Sequence, residues 1–80
     1  MKVEDKVYVI GRGNIICSTL GDNDVIRKSD KIKINNNIFD IVGIEIWAYS
    51  KHIGLILRPN NLVEEVNIND EIEIIKDELV

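Results

Sequence analysis

The sequence predicts an all-β protein: one domain, residues 1–80, folded as a small closed or partly closed antiparallel barrel of about six strands. Sixteen Ile and eight Val dominate the apolar residues, and β-branched side chains pack well on a pleated surface. Polar and apolar residues alternate at 31–34 and 70–75, which is typical of half-buried strands. Turn residues separate these segments, and closure into a barrel would remove exposed strand edges.

Two strands joined by a kink are predicted at the start of the chain. The first strand runs from Lys2 to Ile10 and the second runs over Asn14–Ser18. Between them, Gly11 and Gly13 flank an arginine and let the backbone bend or take a positive φ. We therefore expect at least one of these glycines to be structurally required. Residues 20–24 predict a loop, and Val25-Ile26 predicts a further short strand.

The second half of the chain predicts four strands and one helical turn. Three consecutive Asn residues at 35–37 indicate a hairpin, because Asn tolerates the left-handed region that tight hairpins need. The longest strand is expected to bend at Gly43. The predicted strands are Lys31–Ile34, Ile38–Tyr49, His52–Arg58 and Asp70–Ile75, and the predicted helical turn is Leu62–Val66.

Period-2 alternation assigns the side chains of the two longest strands to faces. One face of the first carries Val42, Ile44, Ile46 and Ala48, and the other carries Ile41, Gly43, Glu45, Trp47 and Tyr49. In the second, Ile53, Leu55 and Leu57 lie opposite Gly54 and Ile56. Gly43 and Gly54 are therefore expected to be structural glycines.

One pattern occurs twice in the chain. Residues 29–34 and residues 69–74 both read as a turn residue, Asp, and then Ile at every second position. Two copies do not make a solenoid. The pattern predicts two strands that are each entered by the same kind of turn.

The formal net charge of −4 bears on possible partners. Proteins that bind nucleic acids neutralise phosphates with clustered Lys and Arg, whereas the basic residues here are interspersed with acidic ones. The one local basic cluster, around residues 27–33, fits a solvated strand face. We expect no binding to duplex DNA.

Cysteine content and hydropathy limit the classes of protein to which this chain can belong. Cys17 is the single cysteine, so an internal disulfide and a cysteine-based zinc site are excluded. It is expected to be a small buried side chain. The apolar runs are far shorter than the ~20 residues that cross a bilayer, and no signal peptide is visible. These features predict a cytoplasmic protein that does not associate with membranes, as a monomer or small homo-oligomer.

Three residues are candidates for binding, each with a structural alternative. Trp47, with Tyr49 and Glu45 on the same strand face, could form an aromatic platform for a base or a peptide, or Trp47 could cover a hydrophobic corner. Arg12 could bind a phosphate or carboxylate, or form an ion pair with Asp5 or Glu45. His52 could have a functional role, because histidine titrates near neutral pH, or it could be a surface residue at the end of a strand.

Several motifs resemble the second domain of elongation factor Tu and related translational GTPases. In order, they are Glu4-Asp5, Gly11-Arg12-Gly13, Ile15-Ile16, Gly43-Ile44-Glu45-Ile46-Trp47, Gly54-Leu55-Ile56-Leu57-Arg58 and Asp70-Glu71-Ile72-Glu73-Ile74. The resemblance covers most of the chain and implies a six-stranded β-barrel. It also implies a pocket around Glu4, Asp5, Arg12 and Glu45, which match family positions at or near the surface that holds the aminoacylated 3′ end of tRNA.

The sequence departs from this family at the same surface. Ala48 stands where the family has an arginine, His52 stands where it has an asparagine, and the loop between them is shortened to Tyr49-Ser50-Lys51. The Gly-rich phosphate loop of the GTPase domain is also missing. The resemblance therefore implies the barrel more than the tRNA-binding activity.

Three functions are consistent with these observations. The first is a non-enzymatic module that binds a protein or another domain through the Trp47 face or a strand edge. The second is a binder of an RNA or nucleotide end through Glu4, Asp5, Arg12 and Glu45. The third is a structural protein that self-assembles through its Ile-rich strands. No residue set in the sequence predicts catalysis, a metal site or a cofactor.

Overall fold

A computed structural model describes residues 1–47 and 49–77 and confirms the all-β prediction. Six strands form one antiparallel sheet with the spatial order β1-β2-β5-β4-β3-β6. The strands are β1 (Asp5–Val9), β2 (Gly13–Thr19), β3 (Lys31–Ile34), β4 (Asn37–Ile46), β5 (His52–Leu57) and β6 (Glu73–Ile75). A short 3-10 helix at Asn61–Glu65 matches the predicted helical turn.

The segments that precede the two edge strands hydrogen-bond to each other. The Val3 amide donates to the Asp70 carbonyl at 2.9 Å, and the Asn69 amide donates to the Val3 carbonyl at 2.7 Å. The Ile72 amide also donates to the Met1 carbonyl at 2.7 Å. Because β1 and β6 lie at opposite ends of the strand order, these bonds link the two edges of the sheet through their flanking residues.

The Asn-rich hairpin forms where the sequence predicts it. Asn35 and Asn36 both have positive φ, at 54° and 65°, and Ile34 pairs with Asn37 across the turn. Positive φ at both central residues defines the type I′ turn, whose twist matches that of the flanking strands. Asn35 also donates through its side chain to the Asp70 carboxylate at 2.8 Å.

The predicted bend at Gly43 is present, but the predicted faces of this strand are wrong. The pairing of β4 with β5 shifts register between Ile41 and Gly43, which marks a β-bulge. An extra residue reverses the alternation, so Ile41 and Ile44 both pack with the core although the sequence pattern separates them. A Cβ on Gly43 would lie 3.1 Å from Ile56 Cδ1, which explains the glycine.

The end of the same strand also differs from the prediction. β4 stops at Ile46, and Tyr49 lies in the following turn with φ 61° and a fully exposed side chain. Tyr49 therefore does not share a strand face with Trp47. Ala48, which the sequence places in this strand, lies outside the described residues.

Three four-residue turns share one hydrogen-bonding pattern, and we call them Asp turns. In each, the amide of a terminal Asp donates to the carbonyl of the first residue, and the Asp carboxylate accepts the amide of that first residue. They span residues 21–24, 27–30 and 67–70. The last two precede β3 and the region of β6, which confirms that the repeated sequence pattern forms the same kind of turn. In the pairing of β3 with β6, Lys33 lies opposite Glu73.

The predicted strand at Val25-Ile26 does not form. These residues lie between two Asp turns, which leave too little extended chain for a strand ladder. Ile26 packs against the core instead, and the Lys76 ammonium donates to the Val25 carbonyl.

One hydrophobic core lies on one face of the sheet. Ile53, Leu55 and Leu57 of β5 point into it, as predicted. At the edge of the core, Lys6 Nζ donates to the Val66 carbonyl at 2.8 Å. The other buried members are Val3, Ile16, Ile32, Ile34, Phe39, Ile41, Val63, Val66 and Ile72.

The Gly-Arg-Gly kink is a turn with two left-handed residues. Gly11 has φ 87° and Gly13 has φ 95°, a region that L side chains rarely adopt. A Cβ on Gly13 would make only an ordinary contact, 3.8 Å from the Leu57 carbonyl oxygen, and one on Gly11 would meet open space. The expectation of a positive φ is confirmed, and it is backbone conformation rather than crowding that requires glycine at both positions.

Candidate functional site

Four strands place one row of residues side by side on the face opposite the core. Asp5 pairs with Cys17, Cys17 pairs with Gly54, and Gly54 pairs with Glu45. Side chains at paired positions point to the same face of a sheet. We call this the outer face. It carries two carboxylates and one thiol around a glycine that adds no side chain of its own.

A groove of about 300 Å³ opens beside this row. Its walls are mainly apolar, and half-exposed Trp47 stands over Gly54: a Cβ on Gly54 would lie 3.6 Å from Trp47 Cη2 and 3.1 Å from Ile15 Cγ2. The absence of a side chain at Gly54 therefore makes room for the indole. The lining residues are Glu4, Cys17, Ser18, Trp47, His52 and Ile53.

A chain of hydrogen bonds orients the polar rim of the groove. Thr19 Oγ1 lies 2.6 Å from Glu4 Oε2 and 2.9 Å from His52 Nδ1. An ionised carboxylate can only accept, so the hydroxyl hydrogen is donated to Glu4. His52 Nδ1 must then carry a hydrogen and donate to the Thr19 oxygen. The second oxygen of Glu4 is 3.6 Å from His52 Nδ1, beyond hydrogen-bond distance but within ion-pair distance when His52 is protonated, and the Glu4 side chain is half-exposed.

The guanidinium of Arg12 is committed to an ion pair on the outer face. Arg12 lies 2.6 Å from Glu45 Oε1 through its terminal nitrogen. Glu45 and Cys17 both pair with Gly54, so they lie in the same row across the sheet. Arg12 lies just before the start of β2, and its side chain therefore extends along the outer face to reach Glu45. Both partners are partly exposed, and the arrangement matches the structural alternative stated for Arg12 from the sequence.

Cys17 lines the groove in its protonated form. Burial raises the pKa of the Cys17 thiol above its usual value, and the negative charges of Asp5, Glu45 and Glu4 raise it further. The thiolate is the nucleophilic form of cysteine. The three carboxylates also place negative charge around the thiol.

The structure brings most of the predicted residues to one region. Glu4, Trp47 and His52 line the groove, while Asp5, Arg12 and Glu45 lie beside it on the outer face. His52 is the first residue of β5 and is exposed, consistent with a histidine at a strand end.

Sequence reasoning missed Thr19, which joins Glu4 to His52, and Ser18, whose hydroxyl donates to the Lys2 carbonyl at 2.5 Å. A threonine in an apolar strand carries no signal of such a role, because its partners are set by the register of three strands.

Two other features bear on what this part of the protein could bind or cross. Within residues 1–47 and 49–77, no group of three or more His, Cys, Asp and Glu side chains is arranged to hold a metal ion. In the same part of the chain, no helix has the length and apolar character needed to cross a bilayer.

Comparisons with family models, curated proteins and solved structures found no match to this chain. The resemblance to the second domain of elongation factor Tu stays a prediction that rests on the motifs quoted above.

Proposed function

We propose that this protein is a non-enzymatic binding module that accepts a segment of a protein partner in the groove beside Trp47. The observation that carries the proposal is the half-exposed indole over Gly54, next to a groove with mainly apolar walls. Tryptophan is enriched among residues that dominate binding energy at protein interfaces. Its polar N–H and large apolar ring suit a surface that alternates between water and a partner.

The charges of the outer face favour a protein over an RNA end. Arg12, the cation expected to contact a phosphate, is paired with Glu45. Glu4 and Asp5 add negative charge nearby, and their like charges would repel a phosphate backbone. Binding of an RNA or nucleotide end through Glu4, Asp5, Arg12 and Glu45 would have to break the Arg12–Glu45 pair first.

The chemistry of the groove supports binding rather than catalysis. The Cys17 thiol is held in its protonated form by burial and by three carboxylates, which is the opposite of what an activated nucleophile needs. His52 is oriented by Thr19, and that bond fixes its ring as part of the rim.

We further propose that the sheet is a partly closed barrel of the kind found in the second domain of elongation factor Tu. The bonds between residues 1–3 and residues 69–72 support this proposal because they join the segments next to the two edge strands. The bulge at Gly43 supports it as well, since bulges and glycine bends allow a sheet to curve toward closure.

Selection of peptides from a random displayed library against the immobilised full chain tests the proposed function. We expect enriched peptides that bind the wild-type protein and the Tyr49→Ala variant equally and lose affinity for Trp47→Ala. Tyr49 is the matched control because it is an exposed aromatic outside the groove. Both variants should keep the wild-type melting midpoint, since neither residue belongs to the core.

Three outcomes would contradict this function. Peptides that bind Trp47→Ala as well as wild type would place the binding site elsewhere. Tight binding of a single-stranded RNA 3′ end at physiological salt, lost on Arg12→Ala, would favour the nucleic-acid function. Sedimentation of the isolated chain as a large assembly would favour the self-assembling structural protein.

A further inference from the structure

We infer that the groove beside Trp47 recognises a cationic side chain, Lys or Arg, of the protein partner. This inference rests on the proposed function and adds the chemistry of the group that enters the groove. Three observations support it. The Glu4 carboxylate has an oxygen without a hydrogen-bond partner, the neighbouring basic side chains are paired with other acidic groups, and the Trp47 ring lines the same groove.

The Glu4 carboxylate has acceptor capacity that the protein does not use. One oxygen accepts from the Thr19 hydroxyl at 2.6 Å, and the other lies 3.6 Å from the nearest polar atom of His52. A carboxylate offers about four lone-pair sites. Because Thr19 holds the carboxylate in place, its second oxygen is already oriented when a ligand arrives, and less side-chain freedom is lost on binding.

The basic side chains around the groove bind other groups. Arg12 pairs with Glu45, and Lys51, which precedes the groove residue His52, pairs with Asp22. Among the described residues that line the groove, none is Lys or Arg. His52, whose Nδ1 lies 3.6 Å from Glu4 Oε1, balances the charge of Glu4 only when it is protonated. The Glu4 carboxylate can therefore pair with a cationic ligand, and Asp5 adds negative charge beside it.

Trp47 supplies the second half of a site for a cation. A Lys ammonium or Arg guanidinium over the face of an indole is attracted by the ring quadrupole. The apolar walls match the methylene stem of such a side chain, which buries its carbons while its charged head meets a carboxylate. A volume of about 300 Å³ lies at the lower limit of small-molecule pockets, and so suits one long side chain.

Peptides from the library selection test this inference. We expect the Trp47-dependent peptides to share one Lys or Arg, and replacement of that residue by norleucine to weaken binding by about three- to ten-fold, the range for a partly exposed charge pair with an aromatic contact. Glu4→Gln should weaken the basic peptide by the same factor. It should not weaken the norleucine peptide further, because both changes remove one interaction.

The control variant is Glu64→Gln, which makes the same change of net charge on the exposed surface of the 3-10 helix. It should bind the basic peptide like the wild type. Glu4→Gln keeps an oxygen that can accept from Thr19, and its melting midpoint reports whether the fold is intact.

The possible failures separate the two proposals. Peptides that depend on Trp47 but lack a basic residue, or an unchanged affinity in Glu4→Gln, would overturn the cationic ligand and leave the binding module standing. Equal losses in Glu4→Gln and Glu64→Gln would reduce the effect to general electrostatics and also overturn it. Loss of Trp47 dependence would overturn both.

Discussion

Asp30 gives the sharpest test of what holds this fold together, because the same turn occurs three times in different surroundings. Its carboxylate is buried and accepts the amides of Arg27 and Asp77, each at 2.9 Å, through different oxygens. The Lys76 ammonium adds a contact at 3.2 Å. Asp24 accepts the Gly21 amide in an equivalent turn that is exposed to water.

The hydrogen bonds of Asp30 determine how much Asp30→Asn should lower the free energy of unfolding. An amide offers one oxygen, so one of the two backbone donors would face an NH₂ group and lose its acceptor. A buried donor without an acceptor costs about 1–3 kcal/mol, and the cost is larger when the lost partner is charged. We expect a loss of roughly 2–4 kcal/mol. Asp24→Asn should cost less than about 1 kcal/mol, because water replaces the lost acceptor.

Urea unfolding of the wild type and the two variants measures these differences. A domain of this length has a free energy of unfolding of roughly 4–12 kcal/mol, so the Asp30→Asn midpoint should fall far below that of Asp24→Asn at an unchanged slope. Equal midpoints would show that burial of the Asp30 carboxylate does not matter and would refute the reasoning.

The pH dependence gives an independent check on the same residue. The Asp77 amide, with help from the Arg27 amide and Lys76, holds the pKa of Asp30 below its ordinary value in spite of burial, which raises it. Protonation therefore favours the unfolded chain. The contribution of Asp30 should be complete above the unfolded pKa of about 3.9 and fall as the pH drops through the folded pKa. The stability difference between wild type and Asp30→Asn should shrink over that window, and a constant difference would contradict it.

Three further predictions concern other parts of the fold. Asn36→Gly should raise the free energy of unfolding by about 0.5–1 kcal/mol and Asn36→Ala should lower it by a similar amount, because type I′ turns favour Gly at this left-handed position; urea midpoints in the opposite order would contradict the turn assignment. Gly11→Val and Gly13→Val should each destabilise by roughly 1–3 kcal/mol, because both positions have positive φ; unchanged melting midpoints would remove the reason for both glycines. Cys17 should react with iodoacetamide more slowly than an unhindered thiol at neutral pH, because its raised pKa keeps it protonated, and a rate equal to that of free cysteine would contradict the shift.

Local features of this fold could be predicted from the sequence, and features set by register could not. The Asn35–Asn36 hairpin follows from a property of asparagine itself, and the Asp turns follow from an Asp at a fixed position. The bulge at Gly43 could be located, but its consequence could not: one extra residue brings Ile44 to the core against the alternation of the sequence. Val25 has strong β propensity but lies between two turns that prevent pairing.

The candidate site shows the same division. The sequence assigns Glu4, Trp47 and His52 to three separate candidate features, whereas the structure brings them to one groove because β1, β2, β5 and β4 are neighbours in the sheet. The role of Thr19 depends on the register of the strands, because only their pairing brings its hydroxyl into contact with both Glu4 and His52. Gly54 appeared as a structural glycine, and the structure shows that it makes room for the indole of Trp47.

The pairing of Lys33 with Glu73 has a consequence for symmetry. These two residues hold the same position in the two copies of the Asp-turn-and-strand pattern, and they face each other across β3 and β6, so a local two-fold axis passes between them. In a contact between two identical chains, a residue on such an axis meets its own copy, and like charges directly opposite are destabilising. Because both copies of the pattern lie in one chain, they can differ in sequence: one has Lys33 and the other has Glu73. The two residues that face each other at the axis therefore have opposite charges, which two identical segments could not have.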